Sequence, residues 1–90
     1  MIRAQATVHG LVQGVFFRSG VQEKAAELGV KGWVANNADG TVSLVAEGPE
    51  NLVNQLIEWC HSGPSTAQVG KVEVEHQPYT GEFGRFEIRY

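Results

Sequence analysis

Ile2-Arg3-Ala4-Gln5-Ala6-Thr7-Val8-His9 runs directly into Gly10-Leu11-Val12-Gln13-Gly14-Val15-Phe16-Phe17-Arg18. In the first half, apolar Ile2, Ala4, Ala6 and Val8 alternate with Arg3, Gln5, Thr7 and His9. That period of two sends one face of a strand to a core and the other to water. In the second half the alternation gives way to a loop framed by Gly10 and Gly14. Beyond it Val21, Ala25 and Leu28 fall at helical spacing, with Gln22, Glu23, Lys24 and Glu27 facing elsewhere. A strand handing over to a helix through such a loop is the start of a β-α-β unit. Gly29 is the expected helix stop. Gly20 is a weak point in the first turn, because glycine inside a helix costs about 1 kcal/mol relative to alanine.

Further along, Lys31 to Asn37 and Thr41 to Glu47 read as two strands joined by a turn around Ala38-Asp39-Gly40. Asp-Gly is a hairpin signal because glycine tolerates positive φ. Gly48-Pro49-Glu50 opens a second helix, with Pro49 suited to its first turn. Its apolar stripe is Leu52, Val53, Leu56, Ile57, Trp59 and Cys60, and Ser62-Gly63-Pro64-Ser65 ends it. Val69, Val72 and Val74 suggest another strand with a bulge near Gly70. Phe86, Ile88 and Tyr90 alternate with Glu87 and Arg89 in a short last strand. The order β-α-β-β-α-β predicts an α+β fold: a ferredoxin-like sandwich of an antiparallel sheet with two helices on one face, plus a short C-terminal edge strand. The place of that last strand in the sheet stays open.

Ninety residues suit one domain, residues 1–90, without a second core. Seven basic against ten acidic side chains leave a net charge of −3, which disfavours broad nucleic-acid binding through neutralised phosphates. An RNA-binding sheet of this topology would also want aromatic stacking platforms, which strand one lacks. Cys60 is alone, so neither an internal disulfide nor a cysteine-rich metal site is expected. Its place on the helical stripe reads as a buried, inert thiol. His9, His61 and His76 lack paired ligand spacing and read as surface residues, and no metal is expected. Trp33 and Trp59 are expected in or beside the core. Met1 to Gly10 alternates instead of forming an apolar block, so no signal peptide is expected. No stretch approaches the roughly 18 consecutive apolar residues of a membrane span. A cytoplasmic monomer with no membrane or nucleic-acid partner is the expectation.

Topology gives the first loop its meaning. A right-handed crossover makes strands one and two parallel, with the hairpin's second strand inserted between them. Both strands then end at one edge of the sheet, bringing Asn36 toward Gly10–Arg18. An oxyanion there would meet unpaired loop amides and the positive end of the helix dipole. Gly14 lets the loop curl into a nest, and Arg18 adds a planar fork matched to phosphate oxygens. Val12, Val15 and Phe17 could pin the loop from behind. No Gly-Lys-Ser/Thr follows, so this is not a nucleoside-triphosphate loop. On these grounds alone, a phosphate cradle and ordinary turn chemistry both remain open.

Gly10-Leu11-Val12-Gln13-Gly14-Val15-Phe16-Phe17-Arg18 resembles the first signature of the acylphosphatase family, of form G-x-V-Q-G-V-x-F-R. Gly32-Trp33-Val34-Ala35-Asn36, with Gly40-Thr41-Val42, is similar to the second. Gly48 and the ending Phe86-Glu87-Ile88-Arg89-Tyr90 extend the likeness over nearly the whole chain. The resemblance implies a hydrolase that splits acylphosphates into a carboxylate and inorganic phosphate. It implies that Arg18 and the amides of Gln13, Gly14, Val15, Phe16, Phe17 and Arg18 hold the phosphoryl group, and that Asn36 orients water. Neither cofactor nor metal is implied; the partner is a small-molecule acylphosphate. Ser19-Gly20-Val21-Gln22 departs from relatives that carry threonine where Val21 stands, and Ser19 is a candidate replacement cap. The rival is a non-catalytic ferredoxin-like module that binds a small anion without turning it over.

Overall fold

The computed structural model describes residues 1–90. Its elements follow the predicted order: β1 (Ile2–Leu11), α1 (Phe17–Leu28), β2 (Lys31–Asn36), β3 (Val42–Gly48), α2 (Glu50–Cys60), β4 (Gln68–Gln77) and β5 (Phe86–Arg89). They form one sheet in the order β4-β1-β3-β2-β5. β3 is antiparallel to both β1 and β2, so those two run parallel and end at the same edge. β4 flanks β1 antiparallel, while β5 joins β2 in parallel, which makes the five-stranded sheet mixed.

Register explains the core. Ala6, Leu44 and Val34 lie side by side across three strands, with Ala4 beside Ala46 and Val8 beside Val42. All of them are buried against Phe17, Val21 and Ala25 of α1 and Val53, Leu56, Ile57 and Cys60 of α2. Each fully buried valine, leucine or phenylalanine contributes about 1.5–3 kcal/mol of transfer free energy. The expected stripes are therefore the buried ones, with Leu28, Leu52 and Trp59 packed at their margins. No helix is long and apolar enough to cross a membrane.

Several boundaries carry physical information. Gly10 pairs with Val69 and His9 with Lys71, leaving Gly70 as the extra residue of the predicted bulge. A Cβ on Gly10 would lie 2.2 Å from the Gln68 carbonyl oxygen, so the close strand approach needs a glycine. α1 stops at Gly29, where the Val30 N–H returns to the Ala25 carbonyl at 2.9 Å. β2 ends one residue earlier than expected, because the Asn37 N–H turns to the Thr41 carbonyl at 2.8 Å. Pro49 takes the position before α2, not its first turn.

Two aromatic residues and one glycine are clarified. Trp59 packs at the helix pair, its ring 5.8 Å from that of Phe17. Gly20 lies under it: a Cβ there would come 2.6 Å from the indole Cη2. The glycine that weakens α1 is what lets the helices approach. Trp33 is not a core residue. It alternates with buried Gly32 and Val34, so it faces away from the helices, with the Arg89 guanidinium 4.8 Å from its ring centroid.

Candidate active site

β1 delivers the chain to a tight loop, Val12 to Phe16, and α1 begins at Phe17. Two left-handed residues make the curl: Gly14 at φ 72° and Phe16 at φ 66°. Glycine adopts that conformation freely, whereas a non-glycine residue held there costs of order 1–3 kcal/mol. Val12 and Phe17 are buried and Val15 packs against the core, so the loop is pinned from behind as the alternation predicts. Thr66 adds a brace by donating its hydroxyl to the Val15 carbonyl.

The curl leaves donors unused. From Gln13 to Ser19 no backbone N–H donates to a carbonyl; the first is that of Gly20, to the Phe16 carbonyl at 3.1 Å. No side chain caps α1 and no acidic residue occupies its first turn, whereas α2 carries Glu50 in its own. The positive end of the α1 dipole is thus left uncompensated. Ser19 does not act as a cap: its hydroxyl donates to the Phe16 carbonyl at 3.1 Å instead of accepting from an amide. Val21, where a threonine was the family expectation, is fully buried in the core.

A cleft of about 250 Å³ opens here, lined by Val12, Gly14, Phe16, Phe17, Arg18, Ser19, Asn36, Ile88 and Tyr90. Arg18 and Asn36 meet on it, as the crossover topology requires. Arg18 has no carboxylate partner; its guanidinium carbon lies 4.9 Å from the Tyr90 ring centroid. Asn36 is exposed at the end of β2. Its neighbour Asn37 is committed elsewhere, donating to the Thr41 hydroxyl at 2.8 Å and the Ser43 hydroxyl at 2.6 Å. The turn is further held by the Asp39 carboxylate, which accepts from the Thr41 hydroxyl at 2.6 Å and its amide at 3.1 Å. Those hydrogen bonds, side chain first, hold the Asp39 pKa below its ordinary value.

Not every loop residue named from the sequence lines the cleft: Gln13 and Val15 do not. The Gln13 amide group donates to the Asn37 carbonyl at 2.7 Å and the Thr41 carbonyl at 2.9 Å. It straps the loop to the turn after Asn36, so only its backbone is free to meet a ligand. Conversely, Ile88, Tyr90 and Ser19 line the cleft without having been singled out for it. The signal for the first two was the parallel place of β5, which carries the chain end to the edge where β2 finishes.

Other candidates fall away from the site. His9 pairs across strands with Glu73 and does not line the cleft. Cys60 is buried, and burial pushes its thiol up to about 12. No group of histidine, cysteine and acidic side chains is placed to hold a metal ion. Glu47 is buried and accepts from Arg3 at 3.3 Å, the Thr80 amide at 2.9 Å and the Gly81 amide at 3.1 Å. Burial drives its pKa up, but the Thr80, Arg3 and Gly81 hydrogen bonds outweigh that and hold it below the ordinary value.

Comparison with known proteins bears on the same residues. The family model described as Acylphosphatase matches residues 4–88. A protein of Pelotomaculum thermopropionicum named Acylphosphatase is 50% identical over 98% of this chain and 96% of its own length. One of Geobacter sulfurreducens with the same name is 51% identical over 99% and 98%. The crystal structure of acylphosphatase from Bacillus subtilis superposes with a TM-score of 0.96 at 37% identity, covering 100% of both chains.

Proposed function

The chain belongs to the acylphosphatase family, and on that premise we propose that the Gln13–Arg18 amides and the Arg18 guanidinium hold the phosphoryl group while Asn36 orients the attacking water. The reaction is hydrolysis of the carboxyl-phosphate anhydride of an acylphosphate to a carboxylate and inorganic phosphate. The observation that carries the assignment is the run of unused amides from Gln13 to Ser19 on a cleft shared by Arg18 and Asn36.

Phosphoryl transfer demands positioning and charge stabilisation more than covalent help. Amides fixed by the loop, a helix dipole and a planar guanidinium supply both around three phosphoryl oxygens. Asn36 offers an acceptor and two donors, enough to hold a water without deprotonating it. As the water oxygen bonds to phosphorus, the bond to the acyl oxygen breaks and the carboxylate leaves with the electron pair. The water's proton passes to a phosphoryl oxygen. A carboxylate is a stable leaving group, so no general acid is required, and no histidine, aspartate or glutamate side chain lines the cleft.

A non-catalytic anion-binding module would use the same loop but has no use for an uncommitted amide at the end of β2; family membership favours the hydrolase. We further propose one domain over residues 1–90, acting as a cytoplasmic monomer on a small-molecule acylphosphate with neither metal nor cofactor. The test is phosphate release from acetyl phosphate with a chelator present. Arg18→Ala should abolish saturable turnover, and Asn36→Ala should lower kcat by about 10²–10³ with KM little changed. Wild-type rates in both variants would overturn the assignment.

A further inference from the structure

We propose that Thr66 is a positioning residue for the reaction: it latches the Val15–Phe16 peptide so that the Phe16 N–H stays aimed into the phosphoryl cradle. The proposal rests on the phosphoryl-binding assignment above. Its chemistry follows from the peptide group itself, which is planar and trans, so its C=O and N–H point in opposite directions. Whatever holds the carbonyl behind the loop therefore sets the amide in front. The Phe16 N–H is among the donors with no carbonyl partner. The Val15 carbonyl of the same peptide receives no backbone N–H, and the one hydrogen bond it accepts comes from the Thr66 hydroxyl.

Strain is the reason a latch is needed. Phe16 is the one non-glycine residue of the chain at positive φ, 66°. A half-turn of the Val15–Phe16 peptide would carry it back to negative φ, where a phenylalanine rests without strain. The same turn would point the Phe16 N–H out of the cradle and bring a carbonyl oxygen in against the phosphoryl oxygens. The following peptide is secured separately, because the Gly20 amide and the Ser19 hydroxyl both donate to the Phe16 carbonyl, each at 3.1 Å. Only the Val15–Phe16 peptide depends on Thr66. Thr66 is itself firmly placed, in the turn Pro64–Ala67 closed by the Ala67 amide on the Pro64 carbonyl at 3.0 Å. One flank is fixed at Gly63, where a Cβ would come 2.7 Å from the Phe17 ring, and the other at Ala67, which packs against the core. The Thr66 side chain is exposed, so burial gives no reason for its hydroxyl to turn inward to this carbonyl.

The experiment measures kcat and KM for acetyl phosphate, and Ki for inorganic phosphate as a competitive inhibitor. It compares wild type, Thr66→Val, Thr66→Ser, Phe16→Gly and the double variant of Thr66→Val with Phe16→Gly. Valine keeps the shape of threonine and removes the donor. When only a fraction of molecules holds the binding conformation, apparent affinity falls by that fraction, while saturating substrate draws the rest back. Thr66→Val should therefore raise KM and the phosphate Ki together by about three- to tenfold, with kcat changed by less than about twofold. Thr66→Ser should restore both constants. In the Phe16→Gly background no strain drives the peptide over, so the same substitution should raise them by less than about twofold. A fall in kcat with KM and Ki unmoved, no change in any constant, or an equal rise in both backgrounds overturns the latch and leaves the hydrolase intact. If wild type releases no phosphate from acetyl phosphate, or inorganic phosphate does not compete, the phosphoryl-binding assignment falls and the latch with it.

Discussion

The guanidinium carbon of Arg18 lies 4.9 Å from the ring centroid of Tyr90, and no carboxylate competes for it. An aromatic face is a partner that holds a cation without neutralising it, so Arg18 is oriented while its fork remains available. At an exposed site such a contact is worth about 0.5–1 kcal/mol. Tyr90→Ala should therefore raise KM for acetyl phosphate by about two- to fivefold, with a smaller effect on kcat. Tyr90→Phe should preserve KM. Steady-state kinetics decide this, and an unchanged KM in Tyr90→Ala would show the stacking to be incidental.

Gln13 offers a different kind of test, since its side chain ties two halves of the site together. Gln13→Leu removes both hydrogen bonds to the turn after Asn36, each worth about 0.5–1.5 kcal/mol net. Misplacement of a positioning group by about 1 Å can cost 10² in rate. The expected outcome is a drop in kcat/KM of about 10–100-fold, alongside a stability loss of about 1–2 kcal/mol in urea unfolding. A stability loss with undiminished kcat/KM would mean that the strap serves the fold alone.

At Gly20, two magnitudes oppose each other. Alanine would improve helix propensity by about 1 kcal/mol. Its Cβ would also fall 2.6 Å from a Trp59 ring already packed on Phe17, and overpacking of that kind costs about 1–3 kcal/mol. The clash should win by about 1 kcal/mol, lowering the thermal midpoint by roughly 4–8 °C. A higher midpoint would show that Trp59 swings aside freely.

Acid stability should depend on Glu47. Its folded pKa lies below the ordinary 4.5, so folding favours the ionised form. The associated stabilisation is present in full above the unfolded pKa and is lost as pH falls through the folded one. Denaturant titrations of wild type and Glu47→Gln should differ most at pH 6–7, and the gap should narrow as pH falls below 4.5 through the folded pKa. A gap that stays constant with pH would remove the ionised carboxylate from the account.

Local periodicity made most of the fold legible. The alternation in β1, the stripes of both helices and the Asp-Gly turn each specify an element without reference to distant residues. The crossover rule then brings Arg18 and Asn36 to one edge, where the cleft contains both. What escaped the sequence depends on partners remote along the chain. β5 has four residues and one buried side chain, too little pattern to reveal that β2 is its neighbour. Glu47 reads as a surface carboxylate until Arg3, Thr80 and Gly81 converge on it. The Gln13 side chain reads as part of a binding loop, because nothing local announces that its amide is already spent on the Asn37 and Thr41 carbonyls.

The sealed thiol of Cys60 has a practical consequence. A sulfhydryl that ionises only near pH 12 and has no solvent contact cannot meet an alkylating reagent while α2 rests on the sheet. Its modification rate in native buffer therefore counts excursions in which that helix lifts away. One natural residue thus serves as a clock for opening events that activity assays do not register.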